Sequence, residues 1–378
     1  MDEIYLNHAA TSYPKPPAVI AAVNGWLSRP PADPGRGASL APDLRRTCRE
    51  ALARLFDVAA AEQIVLPPSA THGANLVLLG RLTARSHVVC TRLEHNSVLR
   101  PIAHRSRDAG VQVSWIGLDR AGQVSPDAVR DALCPGTRLV VVSHASNVSG
   151  GLQPVEAICD VAARAGVPVL VDACQSSGAI PISHRSLPGK VYLLASGHKG
   201  LLGPPGIGVL VVPDDSLPQT VVGGTGSHSE ARLHPGQLPL RHEAGTPPWP
   251  AIAGLTAAVE VVAAGGIDAA GRHRHELASQ LADELAAIDG VAVVPVARGD
   301  RRSGIVSFTL RGWSPESVAD ALERAFGIHA RAGLHCAPLI HADLGTAPLG
   351  TVRASVGWGS ERSHVRALAS AVAEMARG

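Results

Sequence analysis

The chain has very few aromatic residues: five Trp, three Tyr and three Phe in 378 positions. A core with so few rings is packed by Ala, Val, Leu and Ile, which suits a parallel sheet wrapped in helices and argues against a small aromatic-cored barrel. Excess charge of one sign is also missing. The formal net charge is +2 and the arginines are scattered, so neither nucleic acid nor a membrane surface is expected as a partner. The longest apolar strings, around Val141 and from Gly206, fall far short of the roughly 18 residues that span a bilayer. The opening residues lack a basic segment followed by an apolar stretch and a cleavage site, so the expected location is cytoplasmic. Disulfide-like or CxxC spacing is absent too, which argues against a disulfide framework and a metal site. Cys48, Cys90, Cys134, Cys159 and Cys174 read as small buried hydrophobes, whereas Cys336 stands apart in HCAP among polar and turn residues.

What is present points to a two-domain α/β protein, because 378 residues exceed the size at which one core keeps growing. From 61 to 212 short β-branched runs alternate with helix-length segments, the pattern of βαβ units and a mainly parallel sheet. Strands are expected at 87–91, 111–117, 137–144, 167–173, 191–197 and 206–212, with helices at 72–83, 125–133 and 154–166. Residues 223–250, rich in Gly, Pro, His and Ser, read as a long ordered loop or lid. A long amphipathic stretch at 252–288 is interrupted by Gly265 and Gly266, so two helices are expected there. Beyond it, strands at 291–296, 304–310 and 327–333, and helices at 314–326 and 360–377, form a small α+β unit.

The strongest chemical signal is SGHKGLLGPPGIGVL, which sets Ser196, His198 and Lys199 in a turn between two apolar strands. An isolated turn lysine ordinarily points to water; one shielded by apolar flanks is suited to form a Schiff base. Upstream, VLVDACQ ends a buried strand with Asp172, three residues before Gln175, and strand C-termini are where open α/β sheets place ligands. Asp172 alone serves as well for capping a turn. Paired with the lysine, it suits the carboxylate that keeps a pyridoxal-5′-phosphate (PLP) ring nitrogen protonated. SATHG opens a helix with Ser69, Thr71 and His72, whose free N–H groups favour a phosphate, although Ser is also an ordinary N-cap. His95 in LEHNS follows a strand, where its ring can stack on a planar cofactor.

Taken in order, YLNHAATSYPKP, SATHG, LEHNS, SNVSG, VDACQSSG, SGHKGLLGPPGIGVL, HEAGTP, RAGLHCAP and TVRAS resemble the class V aminotransferase group. Within it the chain is most similar to Suf-like cysteine desulfurases and their selenocysteine lyase relatives. The resemblance implies the PLP-dependent transferase type I fold, with a mainly parallel seven-stranded sheet in a large domain at 16–260. A small domain would be built from 1–15 and 261–378. It implies a homodimer acting on cysteine or selenocysteine, with a sulfur-acceptor protein as a further partner.

By the same resemblance Lys199 carries the cofactor and moves the substrate Cα proton, Asp172 pairs with the pyridinium nitrogen, Gln175 bonds the ring oxygen and His95 stacks on the ring. Ala70, Thr71, Ser196 and His198 hold the phosphate, joined by Thr246 of a neighbouring subunit. Asn147, Arg353 and His335 serve the substrate, and Cys336, with Arg331 and His335 nearby to favour a thiolate, is the nucleophile that receives sulfur. Two places depart from the pattern: Leu334 replaces the first of two histidines before the cysteine, and LNHAAT carries Asn7 and His8. Both changes are expected near the substrate end. Selenocysteine or C–S lysis, and an aminotransferase or epimerase, remain alternatives; the last two would not need Cys336. A non-enzymatic scaffold is the remaining one, but it has no use for a buried lysine and aspartate together.

Overall fold

The computed structural model describes residues 3–28, 43–119, 122–227, 230–296 and 302–377. Parts of the expected domains (1–2, 29–42, 120–121, 297–301 and 378) and positions 228–229 of the expected loop lie outside the described residues. The large sheet has seven strands among the described residues. They run in the order Ile64–Val65, Gly208–Val211, Val191–Ser196, Val169–Asp172, Thr137–Ser143, His87–Thr91 and Gln112–Ile116. The last five are mutually parallel. Gly208–Val211 alone runs antiparallel to both its neighbours. The segment joining it to Val191–Ser196 contains no helix, and a parallel return would need a crossover of a dozen or more residues. Lys199 sits in that reversal. The central strands are buried along their whole length, as expected of a parallel sheet covered on both faces.

A second apolar core gathers Leu6 with Leu277, Leu281, Phe308, Val352 and Val372. It lies on an antiparallel sheet in the order Arg331–Gly333, Thr351–Ser355, Ile305–Leu310 and Val291–Val293. The short strand Ile4–Tyr5 pairs in parallel with Ile328–His329 and ties the N-terminal segment to this unit. The glycine break expected after 252 separates Trp249–Gly265 from Ile267–Ala286 with a 78° bend. Gly266 adopts φ +77 there, a conformation glycine takes without steric cost.

Three expectations need adjustment. The single strand expected at 327–333 is two strands, because Ile328–His329 and Arg331–Gly333 pair with different partners. Cys134 is exposed while Cys48, Cys90, Cys159 and Cys174 are buried; it falls in the turn after the helix Pro126–Ala132, not on a packed face. The edge strand Ile64–Val65 was not foreseen, being too short to show a period. No single helix among the described residues is long and apolar enough to cross a membrane.

Candidate active site

The carboxyl ends of the parallel strands converge on a cavity of about 260 Å³. Val169–Asp172 delivers Asp172, which is buried and accepts a hydrogen bond from the Cys174 N–H at Oδ1 (2.8 Å). One residue further, Gln175 Nε2 donates to the Ala9 carbonyl (3.0 Å). The next strand delivers Ser196 and then the turn bearing His198 and Lys199, all lining the same cavity. Two close backbone approaches make this possible. A Cβ on Gly178 would collide with the Gly200 oxygen, and one on Gly208 would lie 2.6 Å from the Ser69 carbonyl carbon. The second contact draws the start of the helix Ala70–Arg81 onto the sheet, where Ser69 Oγ accepts from the His72 N–H (3.1 Å). Ala70 and Thr71 line the cavity there, presenting the unpaired N–H groups of a helix start.

His95 is the N-cap of the helix Asn96–Ala109, its Nδ1 accepting from the Ser97 N–H (3.0 Å). Burial, aided by the nearby Lys199 charge, lowers its pKa to about 4, so the ring is neutral at ordinary pH. His198 is held likewise at about 4, by burial and then by Lys199 and Lys15. Its Nδ1 meets Thr11 Oγ1 at 3.0 Å. Beside His95 lies a residue the motifs did not single out: Glu94, fully buried, with its carboxyl taking Thr91 Oγ1 (2.6 Å) and both the N–H (2.7 Å) and hydroxyl (2.9 Å) of Ser143. Burial, with Asp172 nearby, raises its pKa to about 7. Glu94 ties together the ends of two strands, one of which reaches the cavity at Ser143, and no sequence period marks it.

The small antiparallel sheet supplies the remaining groups. Arg353 is almost fully buried, donating to the Asn147 carbonyl (2.9 Å) and to Asn7 Oδ1 (3.4 Å), while its Nε has no partner. Burial, and after it the Arg331 charge, brings its pKa down to about 9. Asn147 Nδ2 donates to the His335 carbonyl (2.7 Å). Arg331 Nη2 lies 3.3 Å from Cys336 Sγ, the donor side of a contact that suits a thiolate. His335 and Cys336 both adopt left-handed backbone, φ +50 and +59, an uncommon state for non-glycine residues that is stored at functional sites. The Asn96 N–H to Cys336 carbonyl bond (2.7 Å) anchors this turn against the helix that His95 caps.

Not every expected residue meets this cavity. Arg331, His335, Asn147 and Arg353 line it, and Cys336 lies half-buried behind Arg331. His335 turns its Nε2 to the carbonyl and hydroxyl of Thr351 (both 3.0 Å), and burial drives its pKa to about 2. Thr246 is exposed and does not line the cavity of its own chain. Asn7 reaches Arg353, whereas His8 faces away from the main cavity and packs over Gly357. Leu334 is 36% exposed at the surface beside the cysteine turn.

A family model described as aminotransferase class-V matches residues 4–368. A probable cysteine desulfurase of Halalkalibacterium halodurans is 33% identical over 347 residues, covering 88% of this chain and 84% of the relative. One of Methanothermobacter thermautotrophicus is 33% identical over 388 residues, covering 99% and 95%. Among solved structures, an apo cysteine desulfurase from Thermococcus onnurineus superposes with a TM-score of 0.90 at 27% identity, covering 100% of this chain and 95% of that one. A cysteine desulfurase from Escherichia coli superposes at 0.88, also at 27% identity, covering 99% and 94%.

Proposed function

The chain belongs to the class-V aminotransferase family, and from that premise we propose that it is a PLP-dependent cysteine desulfurase, turning L-cysteine into L-alanine and a persulfide on Cys336. The observation that carries this reading is the contact of Cys336 Sγ with Arg331, directly opposite the buried Arg353, which has no carboxylate partner among the described residues. Simple transamination has no use for that thiol.

The donor set fits PLP. An amine, a buried carboxylate, a neutral imidazole and an exposed helix start line one cavity, matching the aldehyde, ring nitrogen, ring face and phosphate in turn. When bound, PLP supplies an electron sink for charge developing at the substrate Cα. Lys199 would attach it and move the Cα proton. Asp172 would keep the ring nitrogen protonated, Gln175 would meet the ring oxygen, and His95, held neutral, would serve the ring face without competing for its proton. The Ala70 and Thr71 N–H groups, Ser196 and His198 would take the phosphate, joined by Thr246 of a second copy in a homodimer. Arg353 and Asn147 grip the substrate carboxylate, with the His335 carbonyl fixing the Asn147 amide. Cys336, as thiolate, attacks the substrate sulfur. An S–S bond forms as the Cβ–S bond breaks, its electron pair stays on carbon, and a proton completes the alanine methyl group.

Separate packing of Leu6 with the core around Phe308 supports a large unit at 16–260 and a small one from 1–15 and 261–378. The six cysteines are all free, in keeping with a cytoplasmic enzyme. An acceptor protein then removes the persulfide sulfur. Incubation with L-cysteine tests the reaction itself: alanine must appear in step with sulfane sulfur, and a keto acid with an aminated cofactor would replace this reading by transamination.

A further inference from the structure

A second, much smaller cavity of about 20 Å³ lies next to Lys199, sharing Ala9, Gln175 and Lys199 with the large one. Its volume admits one water-sized occupant. Arg274, from the helix Ile267–Ala286, lines it at 9% exposure. Burial lowers the Arg274 pKa to about 10, no acidic group acts on it, and no carboxylate pairs with it among the described residues. Gly200 makes room for it: a Cβ there would stand 3.2 Å from Arg274 Nη1. One more buried group, Ser303 Oγ in a residue 4% exposed, has no hydrogen-bond partner among the described residues and belongs to a residue lining the same space, and His8, 8% exposed, closes its wall.

Arg274 and Ser303 are donors. Burial, followed by the Arg274 charge, drives the His8 pKa to about 3, so that ring is neutral, and it meets the Tyr5 backbone and Ser360 Oγ (3.3 Å), which also accepts from the Gly357 N–H (2.9 Å). A guanidinium and a hydroxyl thus belong to residues bordering one small space that, among the described residues, no Asp or Glu lines. A buried cation without a counter-charge costs several kcal/mol. Water would satisfy the donors but leave that charge uncompensated, and a sulfate or phosphate exceeds the volume.

We propose that this cavity is a built site for one monatomic anion, chloride, held by Arg274 and Ser303. The ion neutralises Arg274 and lies beside the residue proposed to carry the cofactor, without taking part in cofactor binding.

Crystals of the full chain as purified, soaked in sodium bromide and measured at the bromine absorption edge, test the site. The expected result is an anomalous peak between Arg274 and Ser303 that disappears in Arg274→Gln while bromide peaks elsewhere persist. Ser303→Ala removes a single donor from an intact fold and should weaken halide binding about fivefold, the worth of one hydrogen bond. Ordinary water density without anomalous signal in the wild type would overturn the proposal, as would a peak unchanged in Arg274→Gln. Should Arg274→Gln not fold, the wild-type peak and its weakening in Ser303→Ala decide. None of these readouts depends on the cofactor assignment.

Discussion

Arg331 and Arg353 stand directly opposite each other in the antiparallel pair Arg331–Gly333 and Thr351–Ser355. Like charges in that register repel, and no carboxylate forms an ion pair with either among the described residues. Under the proposed function the pair serves two anions, one from outside the chain, the substrate carboxylate at Arg353, and one from within it, the thiolate of Cys336 at Arg331. Replacing Arg353 by Ala should cost about 2–5 kcal/mol of substrate binding. In steady-state kinetics with L-cysteine KM should rise by roughly 30-fold or more with a smaller change in kcat; an unchanged KM would remove Arg353 from the substrate site.

Lys199→Ala should abolish the borohydride-reducible link between protein and PLP. Peptide mass spectrometry after reduction of wild type should find the cofactor mass on Lys199. An adduct on Lys15, the other lysine packed near His198, would contradict the assignment.

Much of this site was legible in the sequence because it lies where a buried β-branched run ends in polar residues. Asp172 closes Val169–Asp172 and Ser196 closes Val191–Ser196, each within a residue or two of where the apolar pattern stops. Glu94 was not legible: its three hydrogen bonds come from Thr91 and from Ser143, 49 residues away, and one acid after a strand carries no periodic signal. The orientation of His335 escaped for a similar reason, since its partner Thr351 lies across a strand pair. His8 could be read from LNHAAT only as a departure; its placement depends on the contact between the N-terminal segment and Gly357. Thr246 stays exposed in a single chain, so the role proposed for it needs a second copy.

Assembly gives the third prediction. If Thr246 serves the phosphate of a second copy, sedimentation at assay concentration should find a dimer. Thr246→Ala should weaken PLP retention by about fivefold, one lost hydrogen bond, with little change in the fold by circular dichroism. An active monomer, or PLP affinity equal to wild type in the variant, would contradict this.

Acid should destabilise the protein through its buried histidines. His144 is buried, meets Ser176 Oγ at 2.9 Å, and burial lowers its pKa from 6.5 to about 4. Below pH 6.5 the unfolded chain takes up a proton that the folded one refuses, so this stability is full above 6.5 and is lost as pH falls toward 4. For His144 the loss is about 3 kcal/mol, and His95 and His198 act in the same direction. Glu94 opposes them, because its raised pKa favours the folded state at low pH and loses that effect as pH rises toward 7. Denaturant midpoints measured from pH 7 to 4.5 should fall; a flat or rising profile would show that Glu94 outweighs the histidines.

The most direct measurement follows sulfur onto one atom. Wild-type protein treated briefly with ³⁵S-labelled L-cysteine, blocked without reduction and digested, should carry label on the peptide containing Cys336, with alanine released in equal amount. Cys336→Ala should keep its cofactor and its affinity for cysteine while losing at least 100-fold in alanine formation, the loss of about 3 kcal/mol or more of transition-state stabilisation expected when a nucleophile is removed. Label on another cysteine, or a Cys336→Ala variant that makes alanine from cysteine at the wild-type rate, would contradict the desulfurase account.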